Sequence, residues 1–286
     1  MISNNEDLLQ KPKNNLDEST VQSFGDEWMR FDQSKLTTEE AYKIFNEYFS
    51  IFPWNKISKD SIGFDMGCGS GRWAKFLVPH VGHLHCIDPS SAIEVAKRTL
   101  VAAKNVTFHA ASLNNVQLPE NSQDFGYSLG VLHHVPDTAR AIQSCAALLK
   151  PGAPFLVYLY YAFDNRSWLF KLIWRCSDLL RRLICRTPAP LKHILTDLLA
   201  ILIYYPLARL SLLAFHLGMN VNCIPLSYYK NHSFYTMRTD SRDRFGTPLE
   251  QRFSRNQIAA MMNAAGFDNI QFSDQAPCWC VVGFKR

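Results

Sequence analysis

The sequence predicts an α/β fold: a doubly wound, mostly parallel sheet of seven strands with a long helical insertion after the fifth. Three observations carry this reading. From Ser61 to Tyr160 short apolar runs alternate with stretches of helical periodicity, the pattern of strands joined by crossover helices. The first run leads into "GFDMGCGSGRWA", where Gly63, Gly67, Gly69 and Gly71 are four of the chain's 13 glycines. The last two runs are too close together for a crossover, so they form an antiparallel hairpin.

Residues 1–20 are polar, with almost no apolar run, and read as a disordered lead. Val21, Phe24, Trp28 and Phe31 recur at helical spacing, and Thr37 with Glu40 three residues on caps a second helix reaching about Phe52. These two helices, 21–60, precede the sheet. Strands are expected at Ile62–Met66, His83–Ile87, Val106–Ala110, Phe125–Leu129 and Phe155–Tyr160. Helices are expected at Arg72–Val78, Ser91–Ala103 and Asp137–Leu149, the last ended by Pro151 and Gly152. A capped helix, Ser254–Ala265 with Gly266 behind it, leads to the final runs Ile270–Ser273 and Trp279–Phe284. The core is therefore 61–163 with 251–286, and 164–250 is an insertion.

The chain has 286 residues, 47% of them hydrophobic, and can bury a sizeable core. Its 8 cysteines include no CxxC pair, and no secretory leader opens the sequence, so they read as reduced thiols in a cytoplasmic protein. Cys278 and Cys280 lack a second Cys/His pair nearby and read as hairpin residues, so no metal is expected. The formal charge is +5, but Asp164–Lys230 alone carries nine Lys/Arg against three Asp. A basic segment in a near-neutral body points to a local anionic neighbour rather than to nucleic acid.

A strand, a glycine-rich turn and a helix start form a nucleotide-type cofactor site in such a sheet. The spacing here is Gly67, Gly69, Gly71 with Arg72 in the sixth position, not GxGxxG. Asp65, two residues before the first glycine, would repel a pyrophosphate but suit a cationic group such as a methionyl amine. Asp88, seventeen residues after Gly71 at the end of the second strand, can accept both ribose hydroxyls.

With these residues in place, "FDMGCGSGRWA", "CIDPSSAIEVA", "DFGYSLGVLHHVPD" and "LLKPGAPFLVYLY" together resemble the successive motifs of the class I S-adenosylmethionine-dependent methyltransferases, type-11 group, over Ile62–Tyr160. The resemblance implies a Rossmann-like methyltransferase fold whose last strand runs antiparallel, and S-adenosylmethionine as cofactor. It implies that Asp65, Gly67, Cys68 and Gly69 line the methionyl and sulfonium side within the turn completed by Gly71. By the same resemblance Asp88 takes the ribose, Pro89 lies near the adenine, and Gly130 sits beside the methionine portion. Where relatives carry an Asp at the adenine amino group this chain has Ser112, and Leu113 offers a backbone amide instead. The Phe24–Trp28 helix resembles the flap that closes over the cofactor.

Methyl transfer needs a base only if the acceptor must lose a proton, and histidine suits that near neutrality. His134, and next to it His133, follow the fourth strand where acceptor meets cofactor in this fold; the other reading of this pair is structural, a ring holding the loop through a backbone bond. "YSLG" at 127–130 lacks the Asn/Asp-Pro-Pro-Tyr of nucleobase and amide N-methyltransferases. Pro277-Cys278, the pair expected of a cytosine C5 nucleophile, falls in the last hairpin, away from the fourth strand, and reads as structural.

In the insertion, Leu169–Ile184 is an amphipathic helix with a mostly basic polar face. "LLAILIYYPLARLSLLAFHL", Leu198–Leu217, has the length of a membrane span but carries Pro206 and Arg209 near its middle. Three placements are open: a lid on the core, helices on a membrane surface, or a true span. The segment after it, with Tyr228, Tyr229, Arg238, Asp240 and Arg244, reads either as an acceptor-pocket wall or as a solvated loop. The sequence therefore points to a methyltransferase acting on a small-molecule or lipid-linked organic acceptor, O-methylation first. Peripheral membrane contact through 164–217 would put it at the inner face of a membrane. The alternatives are a non-catalytic protein of the same fold that docks through its basic insertion and, third, an oxidoreductase.

Overall fold

The computed structural model describes residues 15–163, 167–221, 224–275, 277 and 279–286. The pairs at Cys278 and the charges of Asp164 and Arg166 lie outside the described residues. Ahead of the sheet come α1 (Glu18–Arg30) and α2 (Thr38–Tyr48). The first half of the core runs β1 (Ile62–Met66), α3 (Ala74–Leu77), β2 (His83–Ile87), α4 (Ala92–Thr99) and β3 (Val106–His109). Next come β4 (Phe125–Leu129), α5 (Thr138–Leu148) and β5 (Pro154–Tyr158). The insertion supplies α6 (Trp168–Ile184), α7 (Ala189–Leu199), α8 (Tyr205–His216) and α9 (Phe234–Gly246), after which α10 (Arg255–Ala264), β6 (Phe267–Phe272) and β7 (Cys280–Lys285) close the core.

The seven-stranded sheet has the order β3-β2-β1-β4-β5-β7-β6, parallel from β3 to β5, with β7 antiparallel to both its neighbours. Strand order reverses between β1 and β4, so the crevice at their carboxyl ends is where this architecture binds ligands. Both faces are covered. Phe45, Phe49, Leu77, Leu84, Phe125 and Tyr127 belong to the apolar cluster on one face, and Phe64, Ile142, Leu149, Phe155, Ile258 and Phe267 to the one on the other.

Three segments depart from the sequence expectation. The polar lead was drawn to residue 20, yet Asp17 caps α1 by accepting from the Thr20 amide at 2.8 Å, and Asn15 is buried and exchanges two hydrogen bonds with the Asp137 backbone. Composition hides this start because what residues 15–20 bury, Asn15 and Thr20, is itself polar. Helix α2 stops at Tyr48, short of Phe52, where the chain turns so that Phe49 and Phe52 stack edge to face. The tract after Tyr229 is no solvated loop but a buried helix, α9, capped by Ser233. Its inner face carries Thr236, Thr239, Ser241 and Arg242, so no apolar stripe marked it as a helix.

Arg242 fastens the insertion to α1. It is fully buried, donates to the Ser23 hydroxyl and carbonyl at 3.2 Å each, and lies 3.9 Å from Glu27, also fully buried. Gly246 makes room for it: a methyl there would stand 1.8 Å from the guanidinium. Asp197 of α7 adds a second tie, paired with Arg30 of α1 at 2.6 Å and Arg238 of α9 at 2.8 Å.

Candidate cofactor and acceptor site

The glycine turn is built by β1 and β2 together. The Gly67 and Cys68 amides donate to the Ile87 carbonyl at 2.8 and 3.0 Å, the Gly71 amide donates to Cys68, and the Gly69 amide donates to the Asp88 carboxylate at 2.9 Å. Gly67, Gly69 and Gly71 all have positive φ, which an L side chain rarely adopts. A methyl on Gly67 would meet Val131 at 2.4 Å, so the loops after β1 and β4 touch across the switch point. On Gly71 it would meet α4 at Ala96, so that glycine serves helix packing. On Gly69 it would stand 3.1 Å from the Trp28 indole nitrogen, so α1 covers the turn.

Two carboxylates face this turn. Asp88 is buried and also accepts from the Ser90 amide and hydroxyl at 2.8 and 2.6 Å. Burial, only partly offset by the Ser90 and Gly69 hydrogen bonds, raises its pKa. Asp65, on the sheet between them, accepts from the Tyr127 hydroxyl at 2.9 Å, and burial pushes it up to about 8. A buried carboxyl in that state lacks a counter-charge, and a cationic group would restore its ionised form. Arg72 stacks on Trp28 and Trp73 at 4.7 and 4.3 Å, above the same turn. Pro89 is exposed beside Asp88. The buried Ser112 hydroxyl has no hydrogen-bond partner, and Leu113 packs against the Phe64 cluster. Gly130, with φ +78, has only the Tyr158 ring near its open side, at 4.0 Å.

The insertion packs over the carboxyl end of β5. Tyr48, Tyr158 and Tyr160 form a run of rings at 5.1 and 5.8 Å centroid spacing, leading from α2 across the end of β5. Across from them α9 presents Asp240 and Asp243. Tyr160 donates to Asp243 Oδ2 at 2.6 Å, and Tyr229 donates to Asp240 at 2.8 Å. Asp243 Oδ1 is buried without a partner, and burial raises Asp240 to about 6. These acids and tyrosines are half-buried, so they border open space rather than fill the core.

The two histidines lie behind that wall. His134 Nδ1 is 2.7 Å from the Leu249 carbonyl, which can only accept, so Nδ1 carries the proton and Nε2 is bare. Its ring meets Phe24 of α1 edge to face at 5.0 Å. His133 is fully buried with neither ring nitrogen partnered, and lies 3.8 Å from the Tyr160 ring centroid. Burial, then the neighbouring His134 and Arg252, hold its pKa well below the usual value, so it is neutral. Of the insertion candidates, Tyr228 bonds Glu47 and Arg244 pairs with Glu250, while Arg238 serves α7. Sequence reasoning missed Tyr48, Tyr160 and Asp243; of the two α9 acids it singled out Asp240 alone. Among the described residues no cluster of His, Cys, Asp and Glu could hold a metal.

Comparison with known proteins fits this geometry. Residues 64–157 match the family model of a methyltransferase domain. Over residues 64–157 the chain is a methyltransferase domain of the class I type. S-adenosylmethionine is the methyl donor of that class, and the Gly67–Gly69 turn, Asp65 and Asp88 fit it, since an uncompensated buried acid meets a cationic ligand. A ubiquinone biosynthesis O-methyltransferase of Coxiella burnetii is 31% identical over 106 residues, 36% of this chain and 44% of that protein. An uncharacterized methyltransferase of Mycobacterium bovis is 26% identical over 108 residues, 38% of this chain and 55% of that one. The chain thus spans about half the length of the curated relatives it matches. Among solved structures, a chain of the Haloferax volcanii complex between the Trm112 methyltransferase activator and a candidate methyltransferase superposes with TM-score 0.53 at 12% identity, covering 92% of this chain and 96% of that one. That likeness extends the shared fold beyond the motif-bearing half of the methyltransferase core.

Proposed function

We propose that the chain moves a methyl group from S-adenosylmethionine to a hydroxyl of a small organic acceptor, lipid-linked and presented at the inner face of a membrane. The observation that carries the reading is the half-buried Asp243 of α9, beside the carboxyl end of β5, whose Oδ1 has no hydrogen-bond partner while Oδ2 accepts from the Tyr160 hydroxyl. Bound at the Gly67–Gly69 turn, the cofactor supplies a methyl on a positively charged sulfur. Asp65 faces that charge, Asp88 holds the ribose hydroxyls, and Trp28 with α1 excludes water. Asp243 accepts the acceptor's hydroxyl proton, and Tyr160, hydrogen-bonded to the same carboxylate, fixes its orientation. His133 and His134 act as positioning residues: one backs the Tyr160 ring, the other pins the 249–250 segment. The partial similarity to a relative named for O-methylation supports the bond type.

Methyl-labelled S-adenosylmethionine incubated with the protein and extract of its own host tests this. Label in the organic-soluble fraction supports it; label only in the small polar fraction overturns the lipid-linked acceptor, and label in protein or nucleic acid overturns the reading whole. Cofactor binding with no label in any fraction favours the non-catalytic alternative.

A further inference from the structure

The outer helices of the insertion are inside out. Helices α7 and α8, joined by the wide turn Ala200–Tyr204 that absorbs Pro206, form one continuous helix from Ala189 to His216. Its buried stripe is polar or small: Lys192, Thr196, Ala200, Tyr204, Ala208 and Ser211. Its outer face shows Leu198, Leu202, Leu213 and Leu217 to solvent, Leu202 at 68% and Leu217 at 70% exposure. Among the described residues, every exposed large apolar side chain except Met29, Tyr42, Trp54, Ile62, Val101 and Phe234 lies between Trp168 and Met219. A helix folded onto water would have the opposite arrangement.

Charge identifies the occupant. Arg175, Arg182 and Arg186 of α6 and the turn after it are exposed, whereas the two acids of 167–219 are engaged: Asp178 with Arg181 and Arg182, Asp197 with Arg30 and Arg238. An apolar groove of about 370 Å³ between α6 and α7, walled by Leu180, Leu183, Leu195 and Leu198, adjoins a polar crevice of about 590 Å³ walled by Arg182, Arg186 and Lys192 against Asp26. Thr187 lines both. Acyl chain beside phosphate is the chemistry this pair of openings matches. A second copy of the chain would bring like charges together on a two-fold interface.

The geometry points to docking of α6–α8 on an anionic phospholipid bilayer, lying in its plane. A span is excluded by the packing. Arg209 turns inward, donating to the Lys230 and His232 carbonyls at 3.4 and 3.0 Å. The buried stripe of α7 holds α9, the Ser241 hydroxyl donating to the Thr196 carbonyl at 2.8 Å, so a span would carry Arg242 and the acids of α9 into hydrocarbon. In the plane, Asp240 and Asp243 come about one helix diameter, roughly 10–12 Å, beneath the membrane surface.

This deepens the lipid-side reading of the acceptor and rests on it only for its purpose, because docking is read without cofactor or transfer. The full chain is sedimented with phosphatidylcholine vesicles and with phosphatidylcholine–phosphatidylglycerol vesicles. Binding is expected to the anionic vesicles and to weaken with salt. The exposed double variant Leu198→Ser/Leu202→Ser should lower the partition coefficient about tenfold or more, as two large apolar groups leave the bilayer. Arg175→Glu/Arg186→Glu should abolish the preference for anionic vesicles; retained cofactor binding shows that each variant folds. No vesicle binding, or equal binding by all variants, overturns the proposal, as does a stable dimer that binds no vesicles. Docking without any methyl transfer to lipid overturns the acceptor reading alone.

Discussion

Tyr160 and Asp243 are separated by 83 residues and joined by a 2.6 Å hydrogen bond, the point at which the end of β5 meets the inserted helix α9. Everything proposed for the acceptor depends on this junction. Replacing Asp243 with Asn should reduce transfer by about a hundredfold or more, the scale of a positioned base. Tyr160→Phe removes one hydrogen bond and should cost about tenfold. Cofactor affinity, measured by calorimetric titration, should not change in either variant.

Asp88 should behave in the opposite way. Loss of a hydrogen bond from ribose to carboxylate is worth about 1.5–3 kcal/mol. Asp88→Ala should therefore raise the cofactor dissociation constant roughly ten- to a hundredfold. Unchanged affinity would remove the cofactor assignment at its base.

The burial that pushes Asp65 up to about 8 makes ionisation costly in the free protein. An unfolded Asp titrates near 3.9. Between that value and about 8 the native state holds the proton more tightly, so stability should fall as pH rises across this window. Asp65→Asn should flatten the decline in thermal melting between pH 5 and pH 8 while weakening cofactor binding. Saturating cofactor should flatten it in the wild type too, by supplying the missing positive charge.

His133 gives the reverse slope. Burial holds its folded pKa well below that of an unfolded histidine, near 6.5, so its neutral form stabilises the fold above that pH and the contribution is lost as pH falls. His133→Phe, which keeps a ring against Tyr160, should lose less stability between pH 7 and pH 5 than the wild type.

Gly246→Ala places a methyl 1.8 Å from the Arg242 guanidinium. Displacing that fully buried side chain should destabilise the protein by about 1–3 kcal/mol, the scale of an overpacked core. Denaturant unfolding measures it.

The sheet and half the site were legible because their information is local. Positive-φ glycines at 67, 69 and 71, an acid ending each of β1 and β2, and apolar runs of strand length can all be read within a few residues. The rest depended on partners far along the chain. Helix α9 has no apolar stripe because its buried face pairs Arg242 with Glu27 and Ser23 of α1, more than two hundred residues away. Helix α1 has its apolar stripe at Val21, Phe24, Trp28 and Phe31, but its cap and first residues, Asp17–Thr20, are polar and fall within the expected disordered lead. The run Leu198–Leu217 had three open placements by hydropathy alone. Only tertiary packing shows which of its side chains are covered: Arg209, Ala208 and Ser211 turn inward and the leucines out. Periodicity reports which face of a segment is apolar; which face is covered depends on the neighbour that covers it.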